Sequence, residues 1–335
     1  MYINEGNTSS SLEEPISRIV DYVLHNNYNV NSPGLYNGKA GIALTLFEVS
    51  RFFNNKNIED KAFLLLQEAL VMKNQDYSFE NGLSGIGYLL IYLIENRFIE
   101  ADFDEIFGEQ YEKIISHFSG IENDPSRLLY SLKTIYFFKK AQIIKKDYRT
   151  EEIMRKIFEG LELFLLVQFF DFSDNRYINN KFHIIHMFEE YLKLVNYTKY
   201  PDVSLTLIDQ YYQQFNTNKI ENNYTIGHYL KNVIGINQDN KIIIENNMIY
   251  GYKNIHLDTL YLYEQIDLLS LLNNDLIDKN NQPLEKFEKK WLNVSKANLV
   301  HKIQFFLPNN AKDVGYGYGL SRLILYFINN KKILV

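Results

Sequence analysis

Gly34-Leu35-Tyr36-Asn37-Gly38-Lys39-Ala40-Gly41-Ile42-Ala43 and Phe79-Glu80-Asn81-Gly82-Leu83-Ser84-Gly85-Ile86-Gly87 are two copies of one phrase. Each contains Gly-x-x-Gly-Ile and runs into large apolar residues: Leu44, Leu46 and Phe47 after the first, Leu89, Leu90 and Tyr92 after the second. The copies lie 44 residues apart, from Gly38 to Gly82. Self-similarity at such a period marks a repeat architecture. Glycines before and within the first turn of a helix allow a sharp backbone entry and a close approach by the neighbouring element. The phrase therefore predicts a helix entry that recurs along the chain.

Composition narrows the class. Hydrophobic residues make up 46% of the 335, enough for a large core. The 26 Tyr and 23 Phe stand against a single Trp, Trp291, so much of the buried surface is aromatic with polar tips. With 6 Pro and 16 Gly, the chain is neither turn-rich β nor disordered. A net charge of -6 gives no basic footprint for nucleic acid. The absence of cysteine excludes disulfides, thiolate zinc sites and a cysteine nucleophile from this chain. Met1 to Glu14 has neither the basic nor the apolar region of a signal peptide. No stretch reaches about eighteen uncharged apolar residues, so no membrane span is expected and a cytoplasmic location is the default.

Helical periodicity predicts about twelve helices with little strand. Leu12–Asn26 carries Ile16, Ile19, Val20, Val23 and Leu24 on one face. Gly38–Phe53, Glu59–Lys73, Gly82–Asn96 and Phe103–Ser119 follow. Asn123-Asp124-Pro125 starts a helix to Lys140, since Asp caps and Pro suits the first helical position. Thr150–Phe170, Phe182–Leu194, Pro201–Phe215, Ile255–Leu272, Pro283–Phe306 and Leu320–Ile328 complete the set. Residues 1–11 read as flexible. Residues 216–247 read as an irregular, Asn-rich insertion in which Lys241–Glu245 suits a strand or hairpin.

Worn copies of the phrase fall at Leu128–Leu132, Ile184–Phe188, Gly251–Ile255 and Gly319–Leu323. Alternating helices with this repeat predict an all-α fold, an α/α toroid. It is a double ring built from about six to seven helix pairs, with residues 1–335 as a single domain. The helix-opening loops then gather at one end, where a site belongs.

The first two phrases and their spacing resemble the lanthionine synthetase C-like (LanC-like) family, the cyclases of ribosomally made peptides. The resemblance implies the α/α toroid and a zinc ion held by two cysteines and a histidine. That zinc activates a substrate thiol for addition to a dehydrated Ser or Thr, with a His and an Asp implicated in proton transfer. Carried over, the first zinc cysteine falls on Ile249, within Met248-Ile249-Tyr250-Gly251. The family's Cys-His-Gly falls on Gly317-Tyr318-Gly319, so none of the three ligands is kept. Its His-Gly pair matches His183-Ile184, and its Asp matches Asp124. Zinc is therefore not expected.

Plain readings stand beside these. Asp124 before Pro125 is also a helix cap, and His183 is also an ordinary surface histidine. His183, His186 and Glu190 recur at helical spacing that suits a metal. Tyr36, Glu80, Tyr250 and Tyr318 are the substrate-binding candidates at the toroid mouth. The Gly-x-x-Gly phrases lack the Lys-Ser/Thr ending of a phosphate loop.

Three functions follow. The first is a zinc-independent or non-catalytic LanC-like protein that binds a precursor peptide or a companion modifying enzyme. The second is a thioether-forming cyclase using His183 as acid or base and Asp124 as its orienter, since thiols ionise near neutrality. The third is a carbohydrate-active toroid enzyme, which needs paired carboxylates from among Glu80, Asp124 and Asp313.

Overall fold

A computed structural model describes residues 9–120, 130–170, 178–233, 238–275, 282–307 and 313–328. Among these residues there are fifteen α-helices and no strand, so the all-α class holds. The chain divides into two compact units, one of Met1–Tyr111 with Leu257–Val335 and one of Glu112–His256.

In the first unit the helices are α1 (Ser9–Asn26), α2 (Lys39–Phe53), α3 (Lys56–Val71) and α4 (Leu83–Glu95), with the start of α5 (Phe103–Ser119). It is completed by α12 (Leu262–Asp275), α13 (Gln282–Leu292), α14 (Lys296–Phe306) and α15 (Leu320–Ile328). Helices α2, α4 and α15 are each buried on every side, over Ala40–Ser50, Leu83–Leu93 and Leu320–Tyr326. A helix that is apolar all round belongs inside. Helix α3 buries only Ala62, Leu65, Leu66 and Ala69, at the spacing of a single face, and belongs outside. Helix α2 packs on α3, on α4 and on α15, and α15 also packs on α1 and α12. The last repeat is thus seated against the first.

Local chemistry sets the boundaries. Gly38, Gly82 and Gly319 immediately precede the three inner helices. Asn54 ends α2 in the left-handed conformation at φ 49°, which asparagine tolerates. The next residue, Asn55, caps α3 by accepting from the amides of Asn57 and Ile58. Two adjacent asparagines thus stop one helix and start the next.

The second unit holds α6 (Thr134–Ile144), α7 (Tyr148–Phe170), α8 (Ile178–Thr198), α9 (Leu205–Asn216), α10 (Tyr224–Leu230) and α11 (Gln238–Lys253). Here the structure corrects the sequence reading of residues 216–247. Lys241–Glu245 is helix, not strand, and α10 is a further unexpected helix. Ile243, Ile244 and Asn247 are buried while Ile242 is exposed, which is helical rather than alternating spacing. Packing thus overrides the β preference of three successive isoleucines. Asn247 fixes the pair: its Oδ1 accepts from the Tyr211 hydroxyl and the Asn223 amide, and its Nδ2 donates to the Ile243 carbonyl. Asn223 in turn caps α10 through the Ile226 amide.

Two worn copies also move. Ile184–Phe188 lies inside α8, and Gly251 lies near the end of α11 rather than opening a helix. Gly251 serves a close approach: a Cβ there would meet the Tyr224 amide nitrogen and the Asn223 carbonyl carbon. The long helix expected over Pro283–Phe306 is broken at Asn293–Ser295 into α13 and α14.

A stability test follows from the repeat itself. A Cβ on Gly41 would strike the Leu35 carbonyl oxygen, and one on Gly85 would strike the Phe79 carbonyl oxygen. Both lie in the first turns of fully buried helices. Gly41→Ala and Gly85→Ala are each expected to lower stability by about 1–3 kcal/mol, the usual range for overpacking. Urea denaturation reads this; a gain from either alanine would contradict the shared geometry.

Candidate functional site

The loops that open α15, α2 and α4 are equivalent residue by residue. The Lys39 amide donates to the Ser32 carbonyl seven residues back, and the Leu83 amide to the Asp76 carbonyl at the same spacing. The Ser84 hydroxyl donates to the Tyr77 carbonyl, and the Ser321 hydroxyl likewise to the Val314 carbonyl. On this register Gly317, Tyr36 and Glu80 occupy the same place in three repeats. Their backbones join in that order: the Gly317 amide donates to the Tyr36 carbonyl at 2.7 Å, and the Tyr36 amide to the Glu80 carbonyl at 2.7 Å.

Rings collect along this ladder. The Tyr36 ring packs edge-on against Phe79, Tyr316 and Tyr318, with centroids 6.0, 5.7 and 5.9 Å away. Tyr318 continues to Tyr263 at 4.9 Å, and Tyr263 stacks on Tyr261 at 6.0 Å with planes 7° apart. Tyr36 is buried, Tyr263 and Tyr318 are half-buried, and Tyr261 is 70% exposed. The row therefore runs from the interior out to solvent.

Gly317 makes the packing possible. A Cβ built there would lie 2.5–2.6 Å from Cδ2, Cβ and Cγ of Tyr36. Tyr36 fills the space that a side chain at position 317 would need.

One charge is buried beneath the rings. Arg322 takes the place that glycine holds in the first two phrases, at Gly41 and Gly85. It is 3% exposed, its guanidinium carbon lies 5.4 Å from the Tyr316 ring centre, and it bonds Asp267 of α12 through Nε and Nη2. Burial works most strongly against its charge, but Asp267, with Tyr316 and Tyr36, more than offsets this and holds the guanidinium ionised. A lone Arg in the apolar run Leu320–Ile328 is the sequence signal for this pair. A second missed pair is Tyr92 donating to Glu48, both buried between α2 and α4.

The proposed residues are divided between the two units. Tyr36, Tyr318 and the Glu80 backbone come together in the first unit. Asp313 is buried in the same unit, and Glu80 is half-buried. Tyr250 belongs to the second unit, near the end of α11, half exposed with Lys253 over its ring at 5.3 Å. His183 and His186 are exposed on α8, with Glu190 half-buried. Among the described residues no three His, Cys, Asp or Glu groups are arranged to hold a metal, so His183, His186 and Glu190 do not form the site their spacing allowed. Asp124 lies outside the described residues.

The second unit has its own polar node. Glu162 accepts from the Tyr191 hydroxyl and from the Ser204 amide. Burial is the largest influence on Glu162 and raises its carboxyl above the ordinary 4.5, against the opposing effect of those two donors. Folded protein thus holds this proton more tightly than unfolded chain. The stability gained is present below the ordinary value and lost as pH rises through the raised one. Glu162→Gln keeps an acceptor oxygen and removes the titration. Denaturation across that window is expected to show a flatter decline with rising pH than wild type; an unchanged profile would contradict the assignment.

The family resemblance implies zinc, and the residues at the corresponding positions do not fit it. Ile249 has no donor atom, Gly317 has no side chain, and the Tyr318 ring is packed between Tyr36 and Tyr263. Zinc sites in proteins are built from thiolate, imidazole and carboxylate groups.

Inner helices buried on all sides, each opened by the glycine phrase and flanked by one-faced helices, define an all-α protein of helix-pair repeats. The sequence model for lanthionine synthetase C-like proteins matches residues 4–128. No curated protein and no solved structure matches the chain.

Proposed function

We propose that this protein is a LanC-like component of lanthipeptide-type peptide maturation that works without zinc in the cytoplasm. It binds a precursor peptide, or a companion modifying enzyme, instead of carrying out the family's metal-dependent cyclisation. The observation behind this reading is the Tyr36 ring lying where a side chain at position 317 would stand. Aromatic rings graded from buried to exposed beside that point supply contact area at low entropic cost. The exposed position of His183 adds nothing in favour of catalysis.

The test uses the 335-residue chain with candidate short Ser/Thr-rich peptides and candidate companion modifying enzymes encoded near its gene. Calorimetry is expected to give micromolar or tighter binding to at least one of them. Binding to neither would sink the reading.

A further inference from the structure

We propose that Tyr261, Tyr263 and Tyr318, with Glu264, form a recognition site for an arginine side chain of a peptide. The inference rests on the peptide-binding reading and names the chemistry that its site selects. Tyr261 precedes α12 and is 70% exposed, so it is no part of the core. It nevertheless stacks on Tyr263 with planes 7° apart, and Tyr318 stands against Tyr263 at 72°. Two parallel faces and one upright ring make a corner.

Glu264 sets the sign of the corner. Its Oε2 accepts from the Tyr261 amide at 2.8 Å, and its Oε1 from the Tyr263 hydroxyl at 3.3 Å. A phenol donating to a carboxylate becomes more electron-rich, and aromatic faces are already the negative part of the ring quadrupole. Carboxylate and ring faces therefore favour the same partner, a cation. A planar, weakly hydrated guanidinium stacks on such faces better than an ammonium. The chain makes this contact internally, with the Arg51 guanidinium carbon 3.5 Å from the Phe98 ring centre. Asp267, one turn further along α12, is already engaged by Arg322, which leaves Glu264 as the anion of this corner. A net charge of -6 for the chain favours approach of a basic segment.

The experiment titrates the full chain with capped heptapeptides that differ only at the central residue: Arg, Lys, Leu or Glu. The Arg peptide is expected to bind about tenfold more tightly than the Leu or Glu peptide, with Lys between. Tyr261→Ala, a change at an exposed position, and Glu264→Gln are each expected to remove most of that difference. Equal binding of the Arg and Leu peptides, no binding of the Arg peptide, or full Arg selectivity in Tyr261→Ala would each overturn the proposal. If Leu and Arg peptides bind equally well, peptide binding stands and the choice of a cation fails. If the precursor binds and the Arg peptide does not, only this inference falls.

Discussion

Gly317→Cys lowers the stability of the chain by about 1–3 kcal/mol, the cost of forcing atoms into a filled core. The new Cβ would stand 2.5–2.6 Å from three Tyr36 atoms, well inside van der Waals contact. Tyr36 has little room to yield. Its backbone is held on one side by the Gly317 amide and on the other by the Glu80 carbonyl, and Phe79, Tyr316 and Tyr318 surround its ring. Tyr36→Ala alone costs about 3–5 kcal/mol, as for other large aromatic truncations. The two changes together cost less than their sum, because each relieves part of the other's defect. Urea denaturation of the four proteins measures the coupling. Strict additivity, or a Gly317→Cys protein as stable as wild type, would show that Tyr36 does not fill that space.

Asp267→Ala is the other large effect, at about 3–5 kcal/mol, because it leaves a buried guanidinium without its counter-charge. Arg322→Met costs less. The Arg322 side chain is 4% exposed and the Asp267 side chain 34%, so the orphaned carboxylate can turn to water where the orphaned guanidinium cannot. The double variant Arg322→Met/Asp267→Ala recovers part of the loss of Asp267→Ala. Denaturant midpoints decide the order. A costlier Arg322→Met, or no recovery in the double variant, would mean that Arg322 acts through packing and not through its charge.

Much of the first unit could be read directly from the sequence. The glycine phrases set helix starts at Lys39, Leu83 and Leu320, and apolar runs after them mark inner helices. These signals are local: an entry glycine and a helical period need no knowledge of distant residues. Residues 216–247 of the second unit resisted the same treatment because the helix start there is signalled by an asparagine. Asn223 caps α10, and Asn247 ties α11 to Tyr211 and Asn223 from positions 36 and 24 residues away. Asn-rich sequence reads as loop until those partners are known. The site was legible in the same uneven way. Tyr36 and Tyr318 stand out in the sequence because they sit in glycine phrases, and Tyr263 because it closes the Tyr-rich segment from Tyr250, whereas Asp267 lies on an ordinary amphipathic helix and joins Arg322 only through packing. Tyr250 was placed by aligning Gly251 as a helix opener, and Gly251 instead lies near a helix end.

The proposed zinc-independent reading rests on the pairing of a glycine at 317 with the Tyr36 ring packed against it. The zinc content of the purified full chain, saturated with zinc and dialysed, tests that most directly. Zinc is expected far below stoichiometric, with no increase in Tyr36→Ala, because emptying the space supplies no ligand. A stoichiometric zinc ion retained by the wild-type chain would contradict the account.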